Sequence, residues 1–243
     1  MFADWQRKRL LAIRAFESRF YPCRDPVGEE FMAVTHAHLK PGDRILHAGC
    51  GADTSLSLRG KCKEVVGIDL GRSVLQNQDV DTPIVGDLAK LDLSLAFDLV
   101  VCKDVVEHLK EPLACFHNFS NVLKDGGLVI IGTPNILHYG VMATKLTSHK
   151  FHQWFLEKIL NSEFEVAFPT YYRANHPRKL CAMMAKAGFR AVEIRMVERP
   201  PDYLFFTYAT SLTGIAYERV VSRFKWLELL RCWIIGVFQL SKH

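Results

Sequence analysis

Glycine and aspartate residues stand at the ends of three predicted strands in the first half of the chain. The first strand runs into the stretch "ILHAGCGAD", where Gly49 and Gly51 let the backbone pass close to a ligand. Asp69 ends the second strand, 20 residues after Gly49, where a carboxylate accepts hydrogen bonds from a ribose diol. Asp87 ends the third strand and is well placed to meet an adenine amino group. Together the three strand ends predict a site for a ligand that contains adenosine.

Asp53 helps to choose among such ligands. A dinucleotide places its pyrophosphate on a helix N-terminus and favours a third glycine with no negative charge beside it. Asp53 stands at that third position, and its carboxylate would repel a pyrophosphate. A ligand that carries an ammonium and a sulfonium suits this carboxylate better. We therefore favour such a cation, and a nicotinamide-dependent oxidoreductase stays the alternative from another class of enzyme.

The elements that position these residues follow from the hydrophobic pattern. Continuous Val/Ile/Leu runs alternate with helical segments, which is typical of a parallel sheet covered on both faces. The pattern predicts an α/β fold with a doubly wound, mostly parallel sheet. The predicted strands are residues 44–48, 64–70, 82–88, 97–102, 128–135, 190–197 and 233–242. Helices are predicted over residues 1–20, 29–39, 111–123 and 176–188, and one more is predicted to start within residues 54–59.

The length of 243 residues suits one sizeable α/β domain, so two independent domains are not expected. We predict N-terminal helices over residues 1–40 and a cofactor-binding core over residues 41–135. The alternation then stops, and residues 136–176, rich in aromatic residues and histidines, are predicted to form a lid or substrate insertion. An interruption of that length inside a compact domain is usually functional. Residues 177–243 are predicted to complete the sheet and to carry a helical insertion.

Five stretches of the chain resemble, in order and spacing, the motifs of class I S-adenosylmethionine-dependent methyltransferases. They are "RILHAGCGAD", "VVGIDL", "IVGDL", "FDLVVCKDVVEHL" and "LKDGGLVIIGTPN". The resemblance is closest to a small-molecule branch with V-x-E-H-L after the fourth strand and T-P-N after the fifth. It covers residues 40–136 and, less closely, the helix and strand that follow residue 176. It implies a seven-stranded Rossmann-like sheet, S-adenosylmethionine as the cofactor and a small-molecule acceptor.

The resemblance also implies cofactor contacts, residue by residue. The methionine half of the cofactor would face Gly49, Cys50 and Gly51, the ribose hydroxyls would bind Asp69, and the adenine would lie against Leu70, Asp87 and Leu88. Cys102 and Lys103, at the end of the fourth strand, would line the methyl-donor site.

His47 departs from the family pattern, because an acidic residue usually stands there and helps to hold the cofactor's ammonium group. A neutral histidine still accepts a hydrogen bond. We hypothesise that Asp53 supplies the missing charge and takes over recognition of the ammonium.

Histidines are the candidate catalytic bases, since a histidine suits a hydroxyl nucleophile near neutral pH. His108, in "EHL", belongs to a core motif, although it would equally serve as a helix residue bonded to a neighbour. His149 and His152 are further candidates in the predicted lid, and the sequence does not say which residue acts. The lid also holds His138, Tyr139, Trp154, Tyr171, Tyr172 and Arg173. No metal site is predicted, because no spacing of His, Cys, Asp or Glu signals one.

Charge and cysteine usage bear on partners and location. The net charge of +5, from 31 basic and 26 acidic residues, is scattered and forms no basic stripe, so nucleic acid binding is not expected. The seven cysteines are odd in number and far apart without a C-x-x-C pair, so neither a disulfide framework nor a zinc site is signalled. The start of the chain has no uninterrupted apolar region, so we predict a cytoplasmic protein.

The segment from residue 203 to residue 231 is rich in aromatic and apolar residues, but charged residues interrupt it too often for a spanning helix. Three interpretations stay open. It packs into the core or a dimer interface, it covers an apolar substrate as a lid, or it lies on a membrane surface, which we favour least. A monomer and a homodimer are both compatible with the sequence.

The function predicted from these features is methyl transfer from S-adenosylmethionine to a small molecule, most simply at oxygen. The aromatic lid favours an apolar or aromatic acceptor. N-methylation and methylation of a glycan or lipid-linked intermediate stay open, because no motif reports the nucleophile. A non-catalytic cofactor-binding subunit is the remaining alternative.

Overall fold

A computed structural model of the chain describes residues 2–23, 25–90, 93, 96–146 and 168–241. The chain divides into two compact units. The sheet unit comprises residues 28–135, 169–196 and 233–243, and the helical unit comprises residues 1–27, 136–168 and 197–232. Each unit is assembled from three stretches of chain.

Seven strands form one sheet in the order β3-β2-β1-β4-β5-β7-β6. Their bounds are β1 Arg44–Ala48, β2 Glu64–Asp69, β3 Thr82–Val85, β4 Phe97–Lys103, β5 Leu123–Pro134, β6 Phe189–Val197 and β7 Trp233–Leu240. The pairs β1–β2, β1–β4, β2–β3 and β4–β5 are parallel, and β7 runs antiparallel to β5. The predicted α/β class with a mostly parallel seven-stranded sheet is confirmed.

The helices are α1 Phe2–Glu17, α2 Pro26–His38, α3 Pro112–Val122, α4 Tyr139–Leu146, α5 Pro177–Lys186 and α6 Tyr208–Arg223. On one face of the sheet, Leu46 and Val100 share a core cluster with Phe116 of α3 and Leu180 of α5. All four side chains are fully buried. Strands that lie under helices in this way need apolar residues throughout, which is why they read as continuous Val/Ile/Leu runs.

The opposite face of the sheet is covered at β5 by α2. Successive residues of a strand point to opposite faces, so Gly132 faces away from the cluster that contains Ile131. A Cβ at Gly132 would lie 2.7 Å from a ring carbon of Phe31, which is fully buried. The close approach of Phe31 to the strand therefore requires glycine at this position.

No helix forms between β1 and β2, because residues 49–63 consist of turns and bends. The predicted helix start within residues 54–59 is wrong. Leu56 and Leu58 are both buried, and residues two apart on a helix would point to different sides. The carboxylate of buried Asp79 accepts hydrogen bonds from two backbone N–H groups of this loop, that of Leu58 at 2.8 Å among them. The Asp79 carboxylate thus accepts hydrogen bonds from backbone N–H groups that in a helix would bond to backbone carbonyls.

The helical unit has a small core of its own, in which buried Ile13, Phe205 and Ile215 pack together. A capping box formed by Thr207 and Thr210 starts α6, since each side chain receives a hydrogen bond from the other residue's backbone N–H.

The apolar segment between residues 203 and 231 has buried apolar side chains in its first part and exposed ones further on. Phe205 and Ile215 are buried in the core of the helical unit, whereas Phe224 and Trp226 are 47% and 77% exposed. Core packing therefore accounts for the first part of the segment only. Within the described residues, no helix combines the length and the apolar composition needed to span a membrane. All seven cysteines are free thiols.

Candidate active site

The loop after β1 (residues 49–63, the glycine loop) begins with two glycines that have a left-handed backbone. Gly49 has a φ of +72° and Gly51 a φ of +47°, a region that glycine enters without steric cost. A Cβ at Gly49 would lie 2.1 Å from Cγ2 of Val105, so the loop packs tightly against the turn that follows β4. A Cβ at Gly51 would meet only ordinary contacts, with Ser73 Oγ at 3.7 Å and Asp69 Oδ2 at 3.9 Å. Contact with Val105 therefore leaves no space for a side chain at Gly49, whereas space remains beside Gly51.

Asp69, the last residue of β2, faces the glycine loop. Its Oδ2 accepts a hydrogen bond from the Gly51 N–H at 2.9 Å, and its Oδ1 accepts one from the Gly71 N–H at 2.7 Å. An ionised carboxylate accepts about four hydrogen bonds, so each oxygen has capacity for one more. Two backbone amides thus fix the orientation of the partly exposed carboxylate and leave it acceptor capacity for a ligand.

Asn77 shapes the glycine loop and was not singled out from the sequence. Its Nδ2 donates to the carbonyl oxygens of Gly51 and Asp53, both at 3.0 Å. Its Oδ1 accepts from the N–H of Asp79 at 2.8 Å, which ties Asn77 to the other side chain that holds this loop. Both Asn77 and Asp79 are 6% exposed. The only sequence signal was an amide and a carboxylate in "QNQD", between two strands.

His47 fits a cofactor that carries an ammonium group. The residue is 3% exposed, and its Nδ1 has no hydrogen-bond partner among the described residues. Burial lowers the pKa of His47 to about 4, against the opposing charge of Asp53, so the ring is neutral near pH 7. In the neutral tautomer that carries its proton on Nε2, Nδ1 is an acceptor that an ammonium group would satisfy.

Asp53, by contrast, already has local partners. Its two carboxylate oxygens accept hydrogen bonds from the N–H and the hydroxyl of Ser55, at 2.8 Å and 2.9 Å. The side chain is exposed to solvent. Exposure and these two bonds favour His47 over Asp53 as the group that faces an ammonium.

Three residues carried over from the resemblance turn their side chains into the core. Cys50, Leu88 and Cys102 are 2%, 6% and 0% exposed. The Cys50 Sγ lies 2.8 Å from where a Cβ would stand on Gly67, and burial raises the pKa of the Cys50 thiol to about 12. Any contact of these three residues with a cofactor is therefore through backbone atoms.

The other carried-over residues are more accessible. Leu70, directly after Asp69, is 63% exposed, which leaves its side chain available to cover an adenine ring. Asp87 is half-buried, and its Oδ1 accepts from the Ala89 N–H at 2.9 Å. Lys103, at the end of β4, pairs with Asp104 at 3.6 Å. Asp104 has a φ of +58°, and backbone strain of this kind is found most often at functional sites.

A second cluster of contacts lies on the ends of β4 and β5, where residues 169–175 (the return segment) bind the turn after β4 (residues 105–111). We call these contacts the clasp. The backbone N–H groups of Tyr171 and Tyr172 donate to the carbonyl oxygen of Glu107, at 2.7 Å and 3.1 Å. Arg173 donates to the carbonyl oxygen of Lys110 at 2.5 Å and pairs with Glu111 at 3.0 Å. The return segment is therefore held along most of its length.

A buried polar chain runs beneath the clasp. Thr133 Oγ1 donates to Glu107 Oε2 at 3.0 Å and accepts from Asn175 Nδ2 at 2.7 Å. The three residues are 0%, 5% and 1% exposed. Burial raises the pKa of Glu107 to about 8, and the charge of Asp104 adds to this, so Glu107 is largely protonated at neutral pH. These buried hydrogen bonds connect the V-x-E-H turn, the T-P-N turn and the return segment.

His108 is oriented by the clasp. Its Nδ1 lies 3.1 Å from the carbonyl oxygen of Pro169. A carbonyl only accepts, so Nδ1 carries the proton and the lone pair of the neutral ring is on Nε2. The His108 N–H also donates to the carbonyl oxygen of Val105, the residue that abuts Gly49. His108 thus lies on the turn that contacts both the glycine loop and the return segment.

Of the three predicted lid histidines, the structure describes only His138. His149 and His152, with Trp154, lie outside the described residues. His138 is 3% exposed in the helical unit, so it is a buried residue and not a solvated one. Burial lowers the pKa of His138 to about 4. His108 lies in the turn after the parallel strand β4 in the sheet unit, whereas His138 belongs to the helical unit.

A doubly wound sheet whose glycine loop faces the carboxylate of Asp69 agrees with the class I S-adenosylmethionine-dependent methyltransferases. Comparison with known proteins agrees. A family model described as a methyltransferase domain matches residues 16–194, most of the chain, and the chain belongs to that family.

Several curated relatives are named as O-methyltransferases, which are enzymes that methylate an oxygen atom. A ubiquinone biosynthesis O-methyltransferase of Burkholderia pseudomallei (strain 1710b) is 26% identical over 205 residues, covering 78% of this chain and 74% of the relative. One of Chromobacterium violaceum is 32% identical over 135 residues, or 49% of this chain. The chain spans about half the length of the relatives from C. violaceum (56%) and Alkalilimnicola ehrlichii (42%).

Solved structures share the fold at low sequence identity. The magnesium protoporphyrin IX methyltransferase of Synechocystis PCC 6803, with bound S-adenosylhomocysteine, has a TM-score of 0.55 and 17% identity over 90% of this chain and 83% of that one. The [4+2]-cyclase SpnF has a TM-score of 0.56 and 15% identity over 88% of this chain and 81% of that one. Since a cyclase is among these neighbours, the likeness reports the fold and not the reaction.

Proposed function

We propose that this protein transfers a methyl group from S-adenosylmethionine to a hydroxyl group of a small molecule, with His108 as the base. The observation that carries the proposal is the turn of residues 105–108. Val105 packs against the glycine loop, while His108 of the same turn is held by the Pro169 carbonyl with its lone pair on Nε2. The names of the curated relatives support oxygen as the acceptor atom.

The chain's own residues would hold the cofactor by its three parts. Asp69 would accept from the ribose hydroxyls, and His47 Nδ1 would accept from the ammonium. Asp87 would bind the adenine edge beside the exposed Leu70. The cofactor supplies a methyl group on a sulfonium that is already activated, so the protein needs mainly to align the reactants and exclude water.

His108 would take the proton of the acceptor hydroxyl at Nε2, while its Nδ1–H stays bonded to the Pro169 carbonyl. A hydroxyl nucleophile is protonated near neutral pH, which is why this reaction needs a base. An apolar or aromatic acceptor is supported by Tyr171, whose ring lies 5.7 Å from Lys110 Nζ and 5.9 Å from Arg173 Cζ. Attraction to these two cations helps to hold the ring in place on the clasp.

The test uses the full chain and S-adenosylmethionine with an isotopically labelled methyl group. Small phenols, alcohols and amines are offered in parallel, and mass spectrometry identifies the labelled atom. The expected result is a labelled methyl ether together with S-adenosylhomocysteine. Asp69→Ala should weaken S-adenosylhomocysteine binding in calorimetry, whereas Asp125→Ala, at an exposed carboxylate early in β5, should leave it unchanged.

Other outcomes contradict different parts of the proposal. Label on amines alone would replace O-methylation with N-methylation. Binding of NADH without binding of S-adenosylmethionine would return the protein to the oxidoreductase alternative. Cofactor binding with no product from any hydroxyl acceptor in the panel would contradict the assigned reaction and leave the cofactor assignment in place.

A further inference from the structure

The helical unit contains a buried group of three side chains that commonly ligate metals. His138 directly precedes α4, Glu198 directly follows β6, and Cys232 directly precedes β7. One donor atom from each lies within 4.8 Å of the donor atoms of the other two. The side chains of His138 and Glu198 are 4% and 5% exposed, and Cys232 is 4% exposed. We call this group the His–Glu–Cys cluster.

Hydrogen bonds account for only part of the cluster, in which Glu198 Oε1 accepts one from the Arg199 N–H at 3.0 Å. His138 Nε2 lies 3.5 Å from Glu198 Oε1, at the outer limit of a hydrogen bond. Among the described residues, the other carboxylate oxygen, Glu198 Oε2, is buried without a hydrogen-bond partner. The same holds for the hydroxyl of Tyr139, whose ring centroid lies 4.2 Å from that of His138. Leaving a buried polar atom unpaired costs about 1–3 kcal/mol. A bound cation would satisfy the carboxylate.

We propose that the His–Glu–Cys cluster binds one Zn²⁺ ion. Imidazole, carboxylate and thiolate together are a zinc donor set, since calcium and magnesium take oxygen ligands and avoid sulfur. Zinc binds these donors at about 2.0–2.3 Å, which in a tetrahedron separates neighbouring donors by about 3.3–3.7 Å. The His138–Glu198 pair has this separation already. A small inward movement completes the site, and water takes the fourth position.

One contact would change on binding. The Gly140 N–H donates to His138 Nδ1 at 3.3 Å, which places the ring proton on Nε2. Zinc at Nε2 moves that proton to Nδ1 and replaces this long contact, while Cys232 releases its thiol proton to solvent and binds as thiolate. The ion would fasten together three segments of the helical unit that are distant in sequence. It would therefore raise the melting temperature of the protein.

The experiment titrates the EDTA-treated full chain with Zn²⁺ in a calorimeter and with Co²⁺ in a spectrophotometer. We expect one equivalent of Zn²⁺, a raised melting temperature and, with Co²⁺, a thiolate-to-cobalt charge-transfer band. Cys232→Ser should abolish that band, and Glu198→Gln should weaken Zn²⁺ binding at least about tenfold. Cys181→Ser, at a half-buried cysteine of the sheet unit, is the matched control and should bind like the wild type.

Absence of stoichiometric Zn²⁺ binding by the wild type would overturn the proposal, as would a charge-transfer band that survives in Cys232→Ser. The zinc-loaded wild type gives a test that does not depend on the folding of any variant. X-ray absorption should show one sulfur together with nitrogen and oxygen in the first coordination shell. A shell without sulfur would contradict the assignment.

Discussion

The glycine loop with Asp69 and Asn77, which we call the cofactor side, is built differently from the clasp. The contacts of these two regions differ in how far apart the partners lie along the chain. On the cofactor side, Gly51 binds Asp69 and Asn77, which follow it by 18 and 26 residues. In the clasp, His108 and Arg173 reach partners 61 and 62 residues away along the chain, across the 136–168 stretch of the helical unit. The cofactor side is therefore a local structure that a sequence motif marks, whereas the clasp depends on contacts between residues far apart in the sequence.

This difference separates two kinds of chemistry. The cofactor side is proposed to recognise a ligand with a constant shape, and short motifs are enough to place glycines and carboxylates around such a ligand. The clasp lies where the acceptor is expected, and its geometry depends on how the return segment is held. Four predictions test whether the two regions are as separate in function as they are in construction.

The largest expected effect is on the clasp side. His108→Ala should lower kcat by about 10²–10⁴-fold, because the base is lost, while the Kd of S-adenosylhomocysteine stays at its wild-type value. Initial rates and calorimetry measure the two quantities. His117→Ala, at an exposed histidine of α3, is the control and should keep full activity. Comparable losses of cofactor affinity and kcat in His108→Ala would show that the two regions are not separate.

On the cofactor side, His47→Leu keeps most of the buried volume but removes the acceptor nitrogen. Hydrogen bonds to charged groups contribute about 1.5–3 kcal/mol, so S-adenosylhomocysteine should bind about tenfold or more weakly. Methylthioadenosine, which lacks the ammonium, should bind the variant and the wild type alike. Asp53→Ala should change neither affinity much. A larger loss in Asp53→Ala than in His47→Leu would instead support Asp53 as the ammonium partner.

Asn77→Ala tests whether the shape of the glycine loop matters for binding. Two hydrogen bonds to loop carbonyls are lost, at about 0.5–1.5 kcal/mol each, so cofactor affinity should fall about 5–150-fold. Gln78→Ala, at the exposed next residue, should have little effect. If the melting temperature of Asn77→Ala falls while the affinity stays constant, Asn77 stabilises the loop without shaping the site.

The smallest effect on activity is expected from Glu107→Gln, because a protonated glutamate and a glutamine carry the same charge. Stability is expected to differ with pH. The folded state raises the pKa of Glu107 from 4.5 to about 8, so its stabilising contribution is full below pH 4.5 and is lost as the pH rises toward 8. Glutamine has no such loss.

Urea denaturation at pH 5 and pH 8 measures this difference. The stability of Glu107→Gln relative to the wild type should increase by about 1 kcal/mol or more between the two pH values. Glu111→Gln, at an exposed carboxylate of the clasp, should show no such trend. An equal trend in both variants would mean that the buried carboxyl is not its source.

The sequence predicted the strands well, because the central ones contain continuous apolar runs, and Asp69 was placed correctly at the end of β2. It failed at residues 54–59, where Leu56 and Leu58 pack a loop that Asp79 holds from outside the segment. Periodicity cannot report a side chain that replaces helix hydrogen bonds from 20 residues away. The side-chain directions of Cys50 and Cys102 were equally invisible, since a motif gives a residue's place in a turn but not the face it points to.

By itself the sequence determined the parallel sheet, the glycine loop and the carboxylate that faces it, because these depend on local hydrophobic pattern and on contacts within about one strand–loop–strand repeat. Only the tertiary structure decided which ring nitrogen of His108 keeps the lone pair, since that depends on a carbonyl 61 residues away. It also brought His138, Glu198 and Cys232 together, although they are well separated along the chain. Long-range contacts of this kind arise from packing, and packing leaves no short motif in the sequence.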